Sequence, residues 1–216
     1  MKVIEDVKFK VRATFFGDHT GHDWFHVERV WKNARLLASM EGVPVDRDML
    51  ELTALLHDVG DHKFYPNEKD AYKRLIPEFL EEFNLDQTLV NTIIQNVGEI
   101  SYKGKELATN TSNLEAALVQ DADRLDAIGA IGIARAFAYG GANERSLYNP
   151  EEDPEEHESF EAYANSKGHT INHFYEKLLL LKDRMQTESG RKLALERHQF
   201  MKVYLDQFYS EWNASK

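Results

Sequence analysis

The sequence predicts an all-α fold, a helical bundle forming a single domain over residues 1–216. Two observations carry this expectation. Apolar residues recur at three- and four-residue spacing in one segment after another. No segment shows the period-two alternation of a half-buried strand. The absence of an internal repeat also argues against a solenoid.

Taken in order, Val3, Ile4, Val7, Val11 and Phe15 predict a helix over Val3–Phe16. A loop over 17–23 follows, then a helix from Trp24 to Met40, stopped by Gly42 and Pro44. Asp46 is a candidate N-cap for a helix running to Asp58. Residues Asn67–Ile76 and Pro77–Phe83 read as two helices, with Pro77 at a first-turn position. Another helix covers Asp86–Val97. The longest run is Asn113–Tyr139, ended by Gly140-Gly141. Residues 142–167 are polar, contain Asn149-Pro150 and the acidic run 151–156, and read as a long surface loop, either a lid or disordered. Helices over His169–Met185 and Ser189–Trp212 complete the chain.

Composition narrows the function classes. Apolar residues are 42% and charged residues 29% of 216, ordinary for a globular domain with a sizeable core. There is no cysteine, so a transition-metal site must use histidine and carboxylate. The net charge of −11 disfavours a duplex nucleic acid partner, because no basic stripe is available to neutralise phosphates. A local pocket can still take a small anion. No apolar core follows Met1, and no stretch is long and charge-free enough to span a bilayer, so a cytoplasmic location is expected, with no membrane partner. The oligomeric state is left open.

Three segments place ionisable groups where helices should be apolar. In the first, His26 and Arg29 share a helix face. In the second, the run Leu52-Thr53-Ala54-Leu55-Leu56 ends in His57-Asp58, with Asp61 and Lys63 just beyond. In the third, Asp121, Asp123 and Asp126 lie in a helix with small and apolar flanks, and call for a metal or cationic partners. Each segment alone has a bland account. His26 reads as a hydrogen-bonded histidine, Asp58 as a solvated helix end, and Asp121 as a surface partner of Arg124. Together they supply an imidazole and carboxylate set suited to divalent Mn, Fe, Ni or Zn. Spacing does not choose among the three aspartates.

The ordered set His26…His57-Asp58…Asp123, in the contexts His26-Val27-Glu28-Arg29-Val30, Leu55-Leu56-His57-Asp58-Val59 and Ala122-Asp123-Arg124-Leu125, resembles the HD superfamily of metal-dependent phosphohydrolases, named for its His-Asp doublet. The stretches Asp121–Ala130 and His173–Leu178 resemble a bacterial branch of small stand-alone members that includes a nucleoside triphosphate pyrophosphohydrolase. The likeness covers nearly the whole chain and implies an HD-type helical bundle. It implies His26, His57, Asp58 and Asp123 as metal ligands, leaving Asp121 and Asp126 to support or pair. An acidic residue at the position of Asp61 helps position or deprotonate water in several members; a capping or salt-bridge role is the alternative here. Members with two metals add histidines between doublet and final aspartate. Only His62 lies between Asp58 and Asp123, which favours one divalent ion, manganese first, with Ni, Co, Fe, Mg or Zn as alternatives.

A site of this kind activates water and polarises a phosphoryl group, and nearby cations stabilise the charge that develops. Arg29 and Lys63 are the catalytic candidates beside Asp61. Arg29, Lys63, Arg124, His173 and Lys177 are the substrate-binding candidates, and Lys103 and Lys105 a basic rim. A solvated or salt-bridged cation is the alternative for each, and a core role for His173. Phosphate-loop, zinc-protease and nucleophile-elbow motifs are absent. The expected activity is hydrolysis of a nucleoside triphosphate to monophosphate and pyrophosphate. A nucleoside monophosphate phosphatase, or a metal or nucleotide sensor without turnover, is the alternative.

Overall fold

The computed structural model describes residues 2–15, 23–61, 65, 67–68, 70–100, 110–155 and 168–215. Expectations for the loop 17–22, for His62 and Lys63, for Lys103 and Lys105, and for 156–167 lie outside these residues. The described residues form nine α-helices and two 3₁₀ segments, with no strand among them, so the fold is all-α. The chain divides into two units, Met1–Lys103 with Ala108–Asp123, and Gly104–Leu107 with Arg124–Lys216.

The first unit is arranged around α3 (Arg47–Leu56). Leu50, Leu52, Thr53, Ala54, Leu55 and Leu56 are all buried, so this short helix is enclosed on several sides. It packs against α1 (Lys2–Thr14), α2 (Trp24–Met40) and α5 (Gln87–Ile100). Val27, Val30, Trp31, Ala34 and Leu37 give α2 its apolar stripe. Trp31 Nε1 donates to Glu51 Oε2 at 2.8 Å, fixing α2 against α3. Asp46 caps α3 as expected, accepting from the Met49 N–H at 3.1 Å.

Three expected elements differ. The pair Asn67–Ile76 and Pro77–Phe83 is instead α4 (Tyr72–Leu80) followed by a 3₁₀ turn, Glu81–Phe83, closed by Asn84 at φ 49°. Pro77 lies inside α4 because the buried pair Ile76 and Leu80 continues across it and packs on α5, outweighing one lost backbone hydrogen bond. The run Asn113–Tyr139 is two helices, α6 (Leu114–Asp126) and α7 (Gly129–Ala142). Ile128 is extended and Gly129 sits at φ 76°, a left-handed conformation that ends the first helix. The His169–Met185 helix is α8 (Thr170–Glu176) and then a 3₁₀ segment, Leu178–Arg184. Leu178 and Leu181 are buried three residues apart, the period of a 3₁₀ turn.

The second unit also contains α9 (Glu188–Trp212), capped by Thr187, whose hydroxyl accepts from the Gly190 N–H at 3.0 Å. Phe174 stacks on Tyr204 at 6.1 Å between ring centres, and Tyr148 meets Phe208 and Trp212 edge-on. Part of the expected surface loop is tied down. Thr170 and Ile171 donate to the Ser146 and Leu147 carbonyls at 3.0 and 3.1 Å, and the Glu155 N–H donates to Glu176 at 3.1 Å. Residues 143–155 are thus fastened to α8 by hydrogen bonds, which corrects a wholly disordered reading of the loop for that part of it.

Candidate metal centre

Three helix ends deliver the proposed ligands. Asp23 caps α2 by accepting the His26 N–H at 2.9 Å, which places His26 in the first turn. α3 ends at Leu56, so His57 and Asp58 stand at its exit. Asp123 lies in the last turn of α6. All four residues belong to the first unit.

Three of the side chains, His26, His57 and Asp58, converge, and Asp123 approaches them at His26. His26 Nε2 lies 3.4 Å from Asp58 Oδ2, 3.5 Å from Asp123 Oδ1 and 3.3 Å from His57 Nε2. His57 Nε2 lies 3.6 Å from Asp58 Oδ1. His26, His57 and Asp58 are buried, and Asp123 keeps part of its surface open. Among the described residues, one ligand atom from each of His26, His57 and Asp58 falls within 4.8 Å of the others.

The donor set fits a divalent ion. Bonds of about 2.0–2.2 Å to imidazole nitrogen and carboxylate oxygen separate neighbouring donors by about 2.9–3.6 Å in octahedral or tetrahedral arrangements. The observed separations of 3.3–3.6 Å lie in that range. The tautomer also fits. His57 Nδ1–H donates to the Ala54 carbonyl at 2.8 Å, which in the neutral ring leaves the Nε2 lone pair facing the cluster. Burial pushes the His57 imidazole down, but Asp58, Asp123, the Ala54 carbonyl and Asp61 outweigh it, and the net direction is upward. The cluster therefore attracts positive charge to the place where the imidazoles face each other.

The remaining site candidates are distributed between the units. Asp61 follows the doublet, donates its N–H to the Asp58 carbonyl at 3.2 Å, and contributes to the field on His57. Arg29 lies one turn after His26 on α2. Lys63 is outside the described residues. Arg124, His173 and Lys177 belong to the second unit. Arg124 is buried and its guanidinium donates to the Arg184 carbonyl. His173 is half-buried; burial, then Lys177 and Arg145, push its imidazole down to about 3, so it is neutral at physiological pH. Asp126 pairs with Arg135 at 2.7 Å, while Asp121 is fully buried.

Sequence reasoning overlooked a polar chain, buried at Thr53 and Asn96 and half-buried at Asn113, that reaches the helix carrying His57 at its exit. Asn96 Nδ2 donates to Thr53 Oγ1 at 3.4 Å, and Asn113 Nδ2 donates to Asn96 Oδ1 at 2.7 Å. The available signal was Asn96 itself, which interrupts the apolar stripe Ile93, Val97, Ile100 on α5.

Residues 24–128, which contain His26, His57, Asp58 and Asp123, match the HD domain family. YpgQ of Bacillus subtilis is 35% identical over 211 residues, 96% of this chain and 92% of that protein. The crystal structure of YpgQ in complex with ADP matches with a TM-score of 0.72 at 32% identity, covering 96% of this chain and 97% of that one. An HD-superfamily hydrolase from Bacillus thuringiensis matches with a TM-score of 0.76 at 38% identity, covering 98% and 97%. A Lactobacillus plantarum protein matches with a TM-score of 0.83 at 35% identity, covering 99% and 98%.

Proposed function

The chain belongs to the HD superfamily, and on that premise we propose that it is a metal-dependent phosphohydrolase acting on a nucleotide. The observation that carries the reading is the cluster of His26, His57 and Asp58 at donor separations suited to a divalent ion, with Asp123 Oδ1 3.5 Å from His26 Nε2 beside it. The complex of YpgQ with ADP supports a nucleotide as ligand. Within this class, the preferred reaction is hydrolysis of a nucleoside triphosphate. Water adds to the α phosphorus, the bond from that phosphorus to the α–β bridging oxygen breaks, and pyrophosphate leaves with the monophosphate as second product. This preference rests on the resemblance of Asp121–Ala130 and His173–Leu178 to the pyrophosphohydrolase branch.

Each residue then has a role. His26, His57, Asp58 and Asp123 hold the ion, manganese before Ni, Co, Fe, Mg or Zn. The bound ion supplies Lewis acidity that lowers the pKa of water and polarises a phosphoryl oxygen. Ala54 holds His57 in the ligating tautomer through its carbonyl. Asp61 orients the attacking water and takes its proton. Arg29 and Lys63 offset charge on the phosphoryl oxygens as the bond breaks. Arg124, His173 and Lys177 stay as the second unit's substrate-contact candidates. A cytoplasmic enzyme is the matching location.

The test is incubation of the wild-type protein with a panel of nucleoside mono-, di- and triphosphates under Mn, Mg, Ni and Co, with products identified. Monophosphate plus pyrophosphate is the expected result. Orthophosphate plus nucleoside would assign a monophosphate phosphatase instead. No turnover with any metal would favour a sensor.

A further inference from the structure

The metal centre draws on three helices, and α6 is the one whose ligand must be brought from farthest along the chain. Its buried apolar residues Ala116, Leu118, Val119, Ala122 and Leu125 supply packing. Apolar packing is non-directional, and by itself tolerates a small slide or rotation of a helix. Hydrogen bonds between buried groups are directional and penalise such a slide, because each displaced group is left unsatisfied.

The polar chain, buried at Thr53 and Asn96 and half-buried at Asn113, supplies that direction. Thr53 lies on α3, one turn before His57, and is fully buried. Asn96 on α5 is also fully buried and donates to Thr53 while accepting from Asn113. Asn113 Oδ1 accepts from the Ala116 N–H at 2.8 Å, capping the start of α6. One turn before Asp123, Gln120 Nε2 donates to the Glu99 carbonyl at 2.9 Å, at the end of α5. Glu99 Oε2 accepts from the Ser112 N–H at 2.8 Å. α5 carries no ligand, yet it holds both a ligand helix end and the helix that brings Asp123.

We propose that the Thr53–Asn96–Asn113 chain positions the metal centre, fixing the register of α6 against α3 so that Asp123 meets His26, His57 and Asp58. Asn96 is its central positioning residue, and its side-chain hydrogen bonds go to Thr53 and Asn113. The inference rests on the metal-binding reading above. It needs α6 held to a fraction of an ångström, since a site about 0.5 Å out of register loses much of its function.

The test is Mn²⁺ affinity, measured by calorimetry and by the electron paramagnetic resonance signal of free Mn²⁺, on full-length wild type, Asn96→Leu and Asn113→Ser. Asn96→Leu keeps the branched heavy-atom shape and removes both links. Asn113→Ser keeps a capping residue for α6 but is too short to reach Asn96. Both variants are measured well below their melting temperatures, with helicity verified by circular dichroism. We expect roughly 10-fold weaker Mn²⁺ binding in each, the scale seen when groups supporting metal ligands are lost. A lowered melting temperature with Mn²⁺ affinity unchanged within about twofold would overturn the positioning role and leave a purely structural one. If Asn96→Leu does not fold, Asn113→Ser decides. Wild type that binds none of Mn, Ni or Co would instead remove the metal reading itself, and this inference with it.

Discussion

Asp123 and Asp126 lie three residues apart on the same helix, and their surroundings give them different work. Asp123 Oδ1 faces His26 Nε2 at 3.5 Å and keeps part of its surface open. Asp126 is buried against Arg135 at 2.7 Å. Spacing alone left this choice undecided, because an i, i+3 pair shares a face and only the partners distinguish its members. Asp123→Asn should therefore abolish tight metal binding, by about 100-fold or more, with little change in the melting temperature of the metal-free protein. Asp126→Asn should leave Mn²⁺ affinity intact and cost roughly 1–3 kcal/mol of stability through the weakened pair with Arg135. Calorimetric Mn²⁺ titration and urea denaturation of both variants check this. The reverse pattern would move the ligand role to Asp126. Among the four proposed ligand positions, the doublet was legible because ionisable groups ended an apolar run. Asn96 escaped notice because a single amide within an apolar stripe is visible only once the stripe's face is known.

At the scale of elements, the turn after the doublet shows what local sequence could and could not say. Gly60 follows His57-Asp58-Val59 at φ 81°, and a Cβ there would stand 2.4 Å from the Tyr72 backbone nitrogen. The chain leaves the candidate metal centre in a left-handed turn pressed against the start of α4. Gly42 also has positive φ, 71°, but nothing lies within 4 Å of its would-be Cβ. The two glycines separate backbone strain from steric contact. Gly42→Ala should cost only the left-handed conformation, about 1–2 kcal/mol. Gly60→Ala should cost clearly more, because backbone rather than a flexible side chain occupies the space, and it should also weaken Mn²⁺ binding by displacing Asp58. Equal losses of stability in the two variants would show that α4 yields easily at this point. Similar reasoning explains the misjudged elements. Gly129 looked like one small residue in a long apolar helix, and nothing in the period announced that it would adopt φ 76°. Pro77 looked like a helix start, because a lone sequence does not weigh the packing of Ile76 and Leu80 against one missing hydrogen bond. Helices α2 and α3 were read nearly to the residue, since Gly42 and Pro44 mark the end of the first and Asp46 caps the start of the second.

At the scale of the whole molecule, a chain with a net charge of −11 gathers carboxylates around two imidazoles, an arrangement that is costly until a cation joins it. All four proposed ligands lie between residues 26 and 123, on α2, the exit of α3, and α6, so an ion held by them would cross-link three helices that are distant in sequence. Binding to the folded state alone stabilises it by mass action, about 2.7 kcal/mol at a free ion concentration 100 times Kd. Any opening that releases the ion becomes about 100-fold rarer under that condition. Hydrogen exchange by mass spectrometry reads this directly. With Mn²⁺ added, amides of α2, α3 and α6 that exchange through such openings should slow by up to that factor, and chelator should restore their rates. Amides of α9, which supplies no ligand, should change less wherever they open without breaking the centre. Equal slowing everywhere would mean that release of the ion requires global unfolding. No slowing in α2, α3 or α6 at saturating Mn²⁺ would contradict a cross-linking ion, because a cation held by these four side chains cannot bind without opposing their separation.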